Sequence, residues 1–268
     1  MDFEAIRAIE NDAERTNRTY EIFDEDSRLD SKASHVEFLT TVRYIEKHLN
    51  PGMRILDLGA GTGAYSLYFA KKGYTVVALE LADRNIAAFR GKLTSELPVT
   101  LHQGNAMDLS AYDDYAFDIV LCFGPLYHLR AAADRTKVIR EVKRVCRKDG
   151  TMFFSFIGHD IVFLTELDYN VHYFTNGDYD HETMRLHDFP FVFFTPPECR
   201  SMLEKEDIHI LHAVATDGAS ELMADKINRM TEEEYTQYLK YHEMICEKTE
   251  LLGMSNHLLY VGQRTDPC

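Results

Sequence analysis

The stretch with the clearest chemical content is residues 54–66, with the sequence RILDLGAGTGAYS. An apolar run ends at Asp57 and Leu58, glycines follow at positions 59, 61 and 63, and a helical pattern then begins. Glycine lacks Cβ, so a ligand can approach the backbone closely at such a turn. The N-terminus of the next helix also directs free N–H groups into the turn. This arrangement predicts an adenosine-containing cofactor at the carboxyl end of a parallel sheet.

The type of cofactor depends on which pattern the glycines belong to. Gly59, Gly61 and Ala64 satisfy the G-x-G-x-x-G/A pattern of dinucleotide-binding turns, which suits a nicotinamide cofactor. The same glycines, preceded by Asp57, also form the pattern LDLGxGxG. A glycine turn that binds no ligand is the third interpretation.

Polar side chains follow the next two predicted strands. Glu80 ends the run YTVVALE and lies 21 residues after Gly59, close to the spacing of about 20 expected for a carboxylate that binds a ribose diol. Each carboxylate oxygen can accept a hydrogen bond from one hydroxyl. Glu80 is therefore predicted to bind a ribose, the alternative being a surface acid at the end of a strand. Asn105 lies in a polar turn after the third run, VTLHQ.

Ordered motifs across residues 53–157 resemble the class I S-adenosylmethionine-dependent methyltransferases. Besides the LDLGxGxG turn, the run FDIVLCFGPLYHL at 117–129 is similar to the fourth-strand motif of that family, and residues 138–156 are similar to its next helix, turn and fifth strand. Two positions depart from the family: Asn105 stands where Asp is frequent, and Lys148-Asp149-Gly150 replaces a Pro-Gly-Gly-like turn.

The resemblance implies S-adenosyl-L-methionine as the cofactor. At the positions that match the family's motifs, and at one position in a predicted N-terminal lid, it implies the following cofactor-binding residues: Asp57, Gly59, Ala60, Gly61, Gly63, Glu80, Leu81, Asn105, Ala106, Met107, Phe123 and Arg28. Arg28 is the expected partner of the methionine carboxylate, and the alternative is that it pairs with the Asp and Glu residues around it.

The alternation of strands and helices from 53 to 157 predicts an α/β fold with a parallel sheet covered on both faces. Through the resemblance, we expect a Rossmann-like seven-stranded sheet, parallel with an antiparallel last strand, in one domain over residues 1–268. Residues 1–50 form the predicted helical lid, including a helix at 2–19, and 53–157 form the cofactor-binding core. Residues 158–194, without a helical period and interpreted as a possible β-ribbon, and residues 218–256 are predicted cap insertions.

Methyl transfer from a sulfonium depends mainly on alignment of the reactants. A general base is needed only for an acceptor that arrives protonated. No residue is assigned as catalytic, although His128 is a possible base; a packing or hydrogen-bonding role is favoured for it. We expect substrate selectivity to depend on the caps and on the lid at 20–28, with these contacts: Tyr20, Tyr127, His128, His159 and Tyr173.

The composition limits the class of partner. The chain has 29 Lys and Arg against 44 Asp and Glu, a net charge of −15, which disfavours nucleic acid because phosphate binding needs basic surface. It contains no apolar run of the roughly 18–20 residues that span a bilayer, and its charged start, MDFEAIR, does not resemble a secretory signal. Five isolated cysteines, the last at position 268, predict neither a metal site nor a disulfide framework and favour the cytoplasm.

The sequence therefore predicts a cytoplasmic methyltransferase acting on a small-molecule oxygen, nitrogen or sulfur nucleophile, as a monomer or homodimer, without membrane or nucleic-acid partners. Three alternatives remain open at this point. They are an RNA-modifying methyltransferase, a nicotinamide-dependent oxidoreductase, and a non-catalytic protein that binds S-adenosylmethionine.

Overall fold

One mixed sheet organises the computed structural model, which describes residues 3–265. The strands in chain order are β1 (Arg54–Leu58), β2 (Thr75–Glu80), β3 (Val99–Gln103), β4 (Phe117–Cys122), β5 (Cys146–Gly158), β6 (Tyr179–Asp180), β7 (Arg185–Leu186), β8 (Phe193–Phe194), β9 (Ile208–Ala215) and β10 (His257–Arg264). The main sheet has the order β3-β2-β1-β4-β5-β10-β9. Strands β1 to β5 are parallel, and β10 runs antiparallel to both β5 and β9. The predicted seven-stranded sheet is confirmed, with the short β8 added beside β5.

Helices cover both faces of this sheet. They are α1 (Phe3–Arg7), α2 (Asp12–Ile22), α3 (Lys32–Glu46), α4 (Ala64–Lys71), α5 (Asp83–Lys92), α6 (Pro125–His128), α7 (Ala132–Val145), α8 (Val162–Tyr169), α9 (Tyr173–Asn176), α10 (Pro196–Glu204), α11 (Ala224–Ile227) and α12 (Glu232–Ile245), with a 3₁₀ turn at Thr249–Met254. Residues of α3 and α4 pack in one apolar cluster, and those of α7 and α10 pack in another. Among residues 3–265, no helix is long and apolar enough to cross a membrane.

The central strands form because nearly every residue in them is apolar and buried. Only the first residue of β2, Thr75, is exposed, and the other five are buried, as expected for a parallel strand covered on both faces. The carboxyl ends of β1, β2, β3 and β4 meet at one edge, where the glycine turn follows β1. Because β10 is antiparallel, its first residue, His257, lies at that same edge beside Ile157 of β5.

The N-terminal region and the first cap differ from the sequence-based expectation. The helix predicted over 2–19 is divided into α1 and α2, because the Asn11 side chain accepts a bond from Glu14 N at 2.9 Å and starts a new helix; Asp2 lies outside the described residues. The first cap contains α8 and α9 as well as the two-residue ribbon of β6 and β7. Phe163, Tyr173 and neighbouring rings form a separate cluster there, so mixed aromatic and polar residues concealed the helical period.

Candidate active site

The glycine turn brings the ends of β1 and β4 into contact. Gly59 has φ +72°, and a Cβ built on it would lie 2.3 Å from the carbonyl oxygen of Phe123. Phe123 N donates to Leu58 O at 3.0 Å, which fixes the close approach. A side chain at position 59 would therefore clash with β4, so the turn requires glycine for both its conformation and its packing.

Glu80 links the end of β2 to this turn. Its Oε2 accepts from Gly61 N at 2.8 Å, and its Oε1 accepts from Ala82 N at 2.7 Å. Burial raises the pKa of Glu80, and the backbone N–H bonds oppose that rise. Each oxygen keeps a further lone pair, so the carboxylate is positioned to accept hydroxyl hydrogens from a ligand.

Asp57 is buried beneath the turn. Its Oδ2 accepts from Ser66 Oγ at 2.6 Å, whereas its Oδ1 is buried without a hydrogen-bond partner. Burial raises the pKa of Asp57 to about 6, the Ser66 bond lowers it, and the charge of Glu80 adds a smaller increase. A buried acceptor without a partner is costly.

Two cavities lie next to Gly59 and Tyr20. Both residues line both cavities. The smaller, about 60 Å³, lies between α2 and the ends of β2 and β3, and is lined by residues that include Glu80, Leu81, Asn105, Ala106 and His128. The larger, about 650 Å³, is lined by residues that include Ala60, Gly61, Arg28, Phe123 and Tyr127.

Most of the predicted cofactor residues are thus brought together around one edge of the sheet. Three of them lie behind the cavity walls. Asp57 is beneath the turn, Gly63 begins α4 against the ring of Phe89, and Met107 packs on the main apolar cluster. Asn105 also has a local role, because its Oδ1 accepts from Met107 N at 2.9 Å and shapes the turn after β3.

His128 is joined to the lid. Its Nε2 forms a 3.0 Å hydrogen bond with the Tyr20 hydroxyl, and the two rings meet edge to face. Burial and the charge of Arg15, which donates to the His128 carbonyl at 2.9 Å, together lower the pKa of His128 to about 3, with Asp12 opposing them. The imidazole is therefore neutral at physiological pH and already bonded, which matches the favoured hydrogen-bonding role.

Arg28 lines the larger cavity but is paired with carboxylates. Its Nε donates to Glu25 at 3.0 Å, and its two terminal nitrogens donate to Glu37 at 2.6 and 3.2 Å. Glu25 also lies over the glycine turn, with its Cγ 3.4 Å from the position of a Cβ on Gly61. The alternative pairing considered for Arg28 is present, and the guanidinium still borders the space beside the turn.

Two of the expected substrate residues lie elsewhere. His159 is buried in the first cap, where its Nδ1 bonds Asp160 Oδ1 at 3.0 Å and its Nε2 accepts from Leu186 N at 3.2 Å. Tyr173 packs in the same cluster. The structure brings neither residue to the two cavities, because both are used to pack the cap on itself.

Sequence reasoning missed part of the larger cavity. Glu37 and Tyr65 line it, and next to Glu37 stand His257 and Asp217. Glu37, Asp217 and His257 place one potential metal-ligating atom each within 4.8 Å of one another. No local pattern signals this group, since its members come from α3, the turn after β9 and the start of β10.

Comparisons with known proteins agree with this geometry. A family model described as a methyltransferase domain matches residues 56–154. The chain is 28% identical over 125 residues to a putative methyltransferase, YqeM, of Bacillus subtilis. The matched region covers 47% of this chain and 51% of that protein. The chain thus spans about half the length of the curated relatives it matches.

Solved structures extend the similarity in fold to nearly the whole chain. The PH0226 protein of Pyrococcus horikoshii is 17% identical, with a TM-score of 0.61 over 92% of this chain and 99% of that one. A magnesium protoporphyrin IX methyltransferase of Synechocystis, solved with bound SAH, is 14% identical, with a TM-score of 0.58 over 95% and 100%. At these identities the likeness establishes the fold alone.

Proposed function

Because residues 56–154 match a methyltransferase domain, we propose that this chain is a class I S-adenosylmethionine-dependent methyltransferase that transfers a methyl group from S-adenosyl-L-methionine to a small-molecule acceptor. One observation carries the proposal. The cavity of about 650 Å³ begins at Gly59, Ala60 and Gly61 and continues past Phe123 and Tyr127. It therefore offers space for an acceptor next to the turn that the family uses for the cofactor.

The residues around the turn fit such a cofactor. Glu80 would bind the ribose hydroxyls, while Leu81, Asn105 and Ala106 would border the adenine. Arg28 would bind the methionine carboxylate once it leaves Glu37. Asp57 contributes an acceptor oxygen that has no partner within the described residues.

When bound, the cofactor would supply a methyl group that is already activated on a sulfonium for transfer to a lone pair of the acceptor. The protein has to align the acceptor and exclude water. Phe123 and Tyr127 form one side of the cavity, and Tyr20 closes it from the lid. His128 holds the lid through Tyr20, so we assign it a positioning role.

The alternatives are less well supported. The net charge of −15 disfavours an RNA substrate. The antiparallel β10, inserted between β5 and β9, departs from the two parallel halves of a classic nicotinamide-binding sheet. The cavity extends from the glycine turn to Tyr235 of α12, which favours a second ligand beside the cofactor over a protein that binds the cofactor alone. Buried free thiols at Cys122, Cys146, Cys199 and Cys246 fit the proposed cytoplasmic location.

A fractionated extract tests the proposal. The purified chain is incubated with S-adenosylmethionine and either the small-molecule fraction or the RNA fraction of a bacterial extract, and S-adenosylhomocysteine is measured. We expect product only with the small-molecule fraction, and none with a Gly59→Ala control. Product formed only with RNA would replace the small-molecule proposal with the RNA alternative, and product with neither fraction would count against both.

A further inference from the structure

A chain of four charged side chains extends from the lid to the far end of the sheet edge. Glu37 Oε2 lies 2.6 Å from an Arg28 nitrogen and 3.5 Å from His257 Nδ1. His257 Nδ1 lies 2.7 Å from Asp217 Oδ2, and Asp217 also accepts from the Ser255 hydroxyl. The order is therefore Arg28, Glu37, His257, Asp217, with cations and carboxylates alternating.

The protonation of this chain follows from its contacts. Burial alone would lower the pKa of His257, but Glu37 and Asp217 outweigh it and raise that pKa to about 9, while Arg28 opposes them. Burial raises the pKa of Asp217. The charge of His257 and the hydrogen bonds from His257 and Ser255 outweigh burial and keep that pKa below its usual value. At neutral pH, His257 is thus a cation and Asp217 is a carboxylate.

The protonation of these groups also indicates whether they suit a metal ion or an organic ligand. A metal would need lone pairs on Glu37, Asp217 and a deprotonated His257. In the structure those atoms already share the imidazole proton and the Arg28 guanidinium. The group is accordingly a hydrogen-bonded ion network rather than a set of free metal ligands.

Glu37 lines the cavity, as Arg28 does, and aromatic residues line it as well. Tyr65 lines the cavity beside it, stacked on Phe38 at 5.1 Å between centroids and edge to face with Phe123 at 5.0 Å. Burial raises the pKa of Tyr65, and the negative charge of Glu37 raises it further. A carboxylate beside aromatic faces favours an organic cation.

The charges nearby favour the same type of ligand. Glu25, Glu37 and Asp217 outnumber Arg28 and His257 in this inner region, and both cations are already bonded to these carboxylates. Lys32 and Lys92, at the cavity wall, are likewise paired with Glu232 and Asp26. Beside Glu37, an acceptor carrying a carboxylate or phosphate would have to break one of these pairs, whereas an ammonium would add a partner to Glu37. Lys71, an exposed residue, also lines the cavity.

We propose that the methyl acceptor is an amine that binds as an ammonium, with Glu37 as the carboxylate that recognises it and His257 and Asp217 as positioning residues behind Glu37. The ammonium passes one proton to Glu37, the lone pair so freed forms the new N–C bond, and the electrons of the broken C–S bond stay on sulfur. This rests on the proposed methyltransferase function. It also implies an order of binding: the cofactor carboxylate takes Arg28 first, and Glu37 is then available to the amine. His257 stays as the cation behind Glu37.

Binding to the complex with S-adenosylhomocysteine tests the inference without turnover. The saturated chain is titrated calorimetrically with two matched sets, phenethylamine, phenethyl alcohol and hydrocinnamate, and hexylamine, hexanol and hexanoate. In at least one set we expect the amine to bind roughly 10- to 100-fold more tightly than its alcohol and carboxylate, the range for a hydrogen bond to a charged group. Failure of the amine preference in both sets overturns the inference.

Variants locate the effect. Glu37→Gln should abolish the amine preference, and Glu37→Asp should restore part of it. Glu204→Gln, on α10 and paired with Arg200, changes a carboxylate that does not line the cavity and should bind like the wild type. A preference that survives Glu37→Gln would contradict the assignment even if amines bind. The initial titration with S-adenosylhomocysteine separates the two hypotheses, because its failure counts against the methyltransferase function itself.

Discussion

Glu80 Oε2 accepts a hydrogen bond from Gly61 N at 2.8 Å, so the carboxylate at the end of β2 is fastened to the glycine turn that follows β1. The turn is fixed on its other side by Gly59, which lies against the Phe123 carbonyl. The proposed cofactor site thus lies at three neighbouring strand ends whose positions depend on each other.

Replacement of Gly59 tests that packing. Gly59 and Gly73 both have positive φ, but a Cβ on Gly73 would meet nothing within 4 Å, whereas one on Gly59 would meet Phe123 O at 2.3 Å. Gly73→Ala should cost about 1 kcal/mol of unfolding free energy from backbone strain alone. Gly59→Ala should cost clearly more, measured by urea unfolding. Equal losses would show that the turn has room that the structure does not contain.

We expect the predicted lid to move before a cofactor enters. The cavity under α2 has about 60 Å³, which holds only a few water molecules, and the Tyr20–His128 hydrogen bond closes it. Tyr20→Phe removes that bond but keeps the ring, and should speed cofactor association by roughly 2- to 10-fold, the equivalent of one net hydrogen bond. Stopped-flow binding measures the rate, with Tyr241→Phe on the exposed face of α12 as control. An unchanged association rate would contradict the lid role.

The first cap should depend on His159 for stability rather than for catalysis. His159→Ala leaves the Leu186 N–H without its acceptor, which should cost about 1–3 kcal/mol of unfolding free energy. The affinity for S-adenosylhomocysteine should stay within about a factor of three, because distant sites contribute separately. Tyr173→Phe, which removes a hydroxyl with no hydrogen bond among the described residues, should be close to neutral. Loss of cofactor binding in His159→Ala would place this residue in the active site.

The contrast between Glu80 and Glu37 shows what the sequence could predict. Glu80 follows a buried β-branched strand at a fixed distance from the glycines, so local pattern and spacing were sufficient to place it. Glu37 lies in the middle of an amphipathic helix, and its partners His257 and Asp217 come from the other end of the chain. These three residues reach the same edge only because β10 runs antiparallel to β5, and no local sequence pattern predicts that arrangement. His159 shows the opposite error, in which a polar residue in an insertion is used for packing.

Stability should depend on pH through His257. Glu37 and Asp217 raise its pKa in the folded protein to about 9, with Arg28 opposing, whereas an unfolded histidine titrates near 6.5. The folded state therefore binds more protons between these values. Charged His257 therefore adds at most about 3 kcal/mol to the free energy of unfolding. This contribution is complete below about pH 6.5 and is lost as the pH rises through 9. Urea unfolding across that range should show the loss in the wild type and a smaller slope in His257→Gln. Identical slopes would mean that His257 is not charged in the fold.

Calorimetric titration of the purified chain with S-adenosylmethionine, S-adenosylhomocysteine and NAD, repeated with Glu80→Ala, tests the central claim most directly. We predict a dissociation constant on the order of micromolar for the first two ligands and no measurable binding of NAD. Glu80→Ala should weaken cofactor binding by about 1.5–3 kcal/mol, because hydrogen bonds to a charged group are lost. An exposed carboxylate, changed in Glu96→Gln, provides the control. Tight binding of NAD in place of S-adenosylmethionine, or full affinity in Glu80→Ala, would contradict the account.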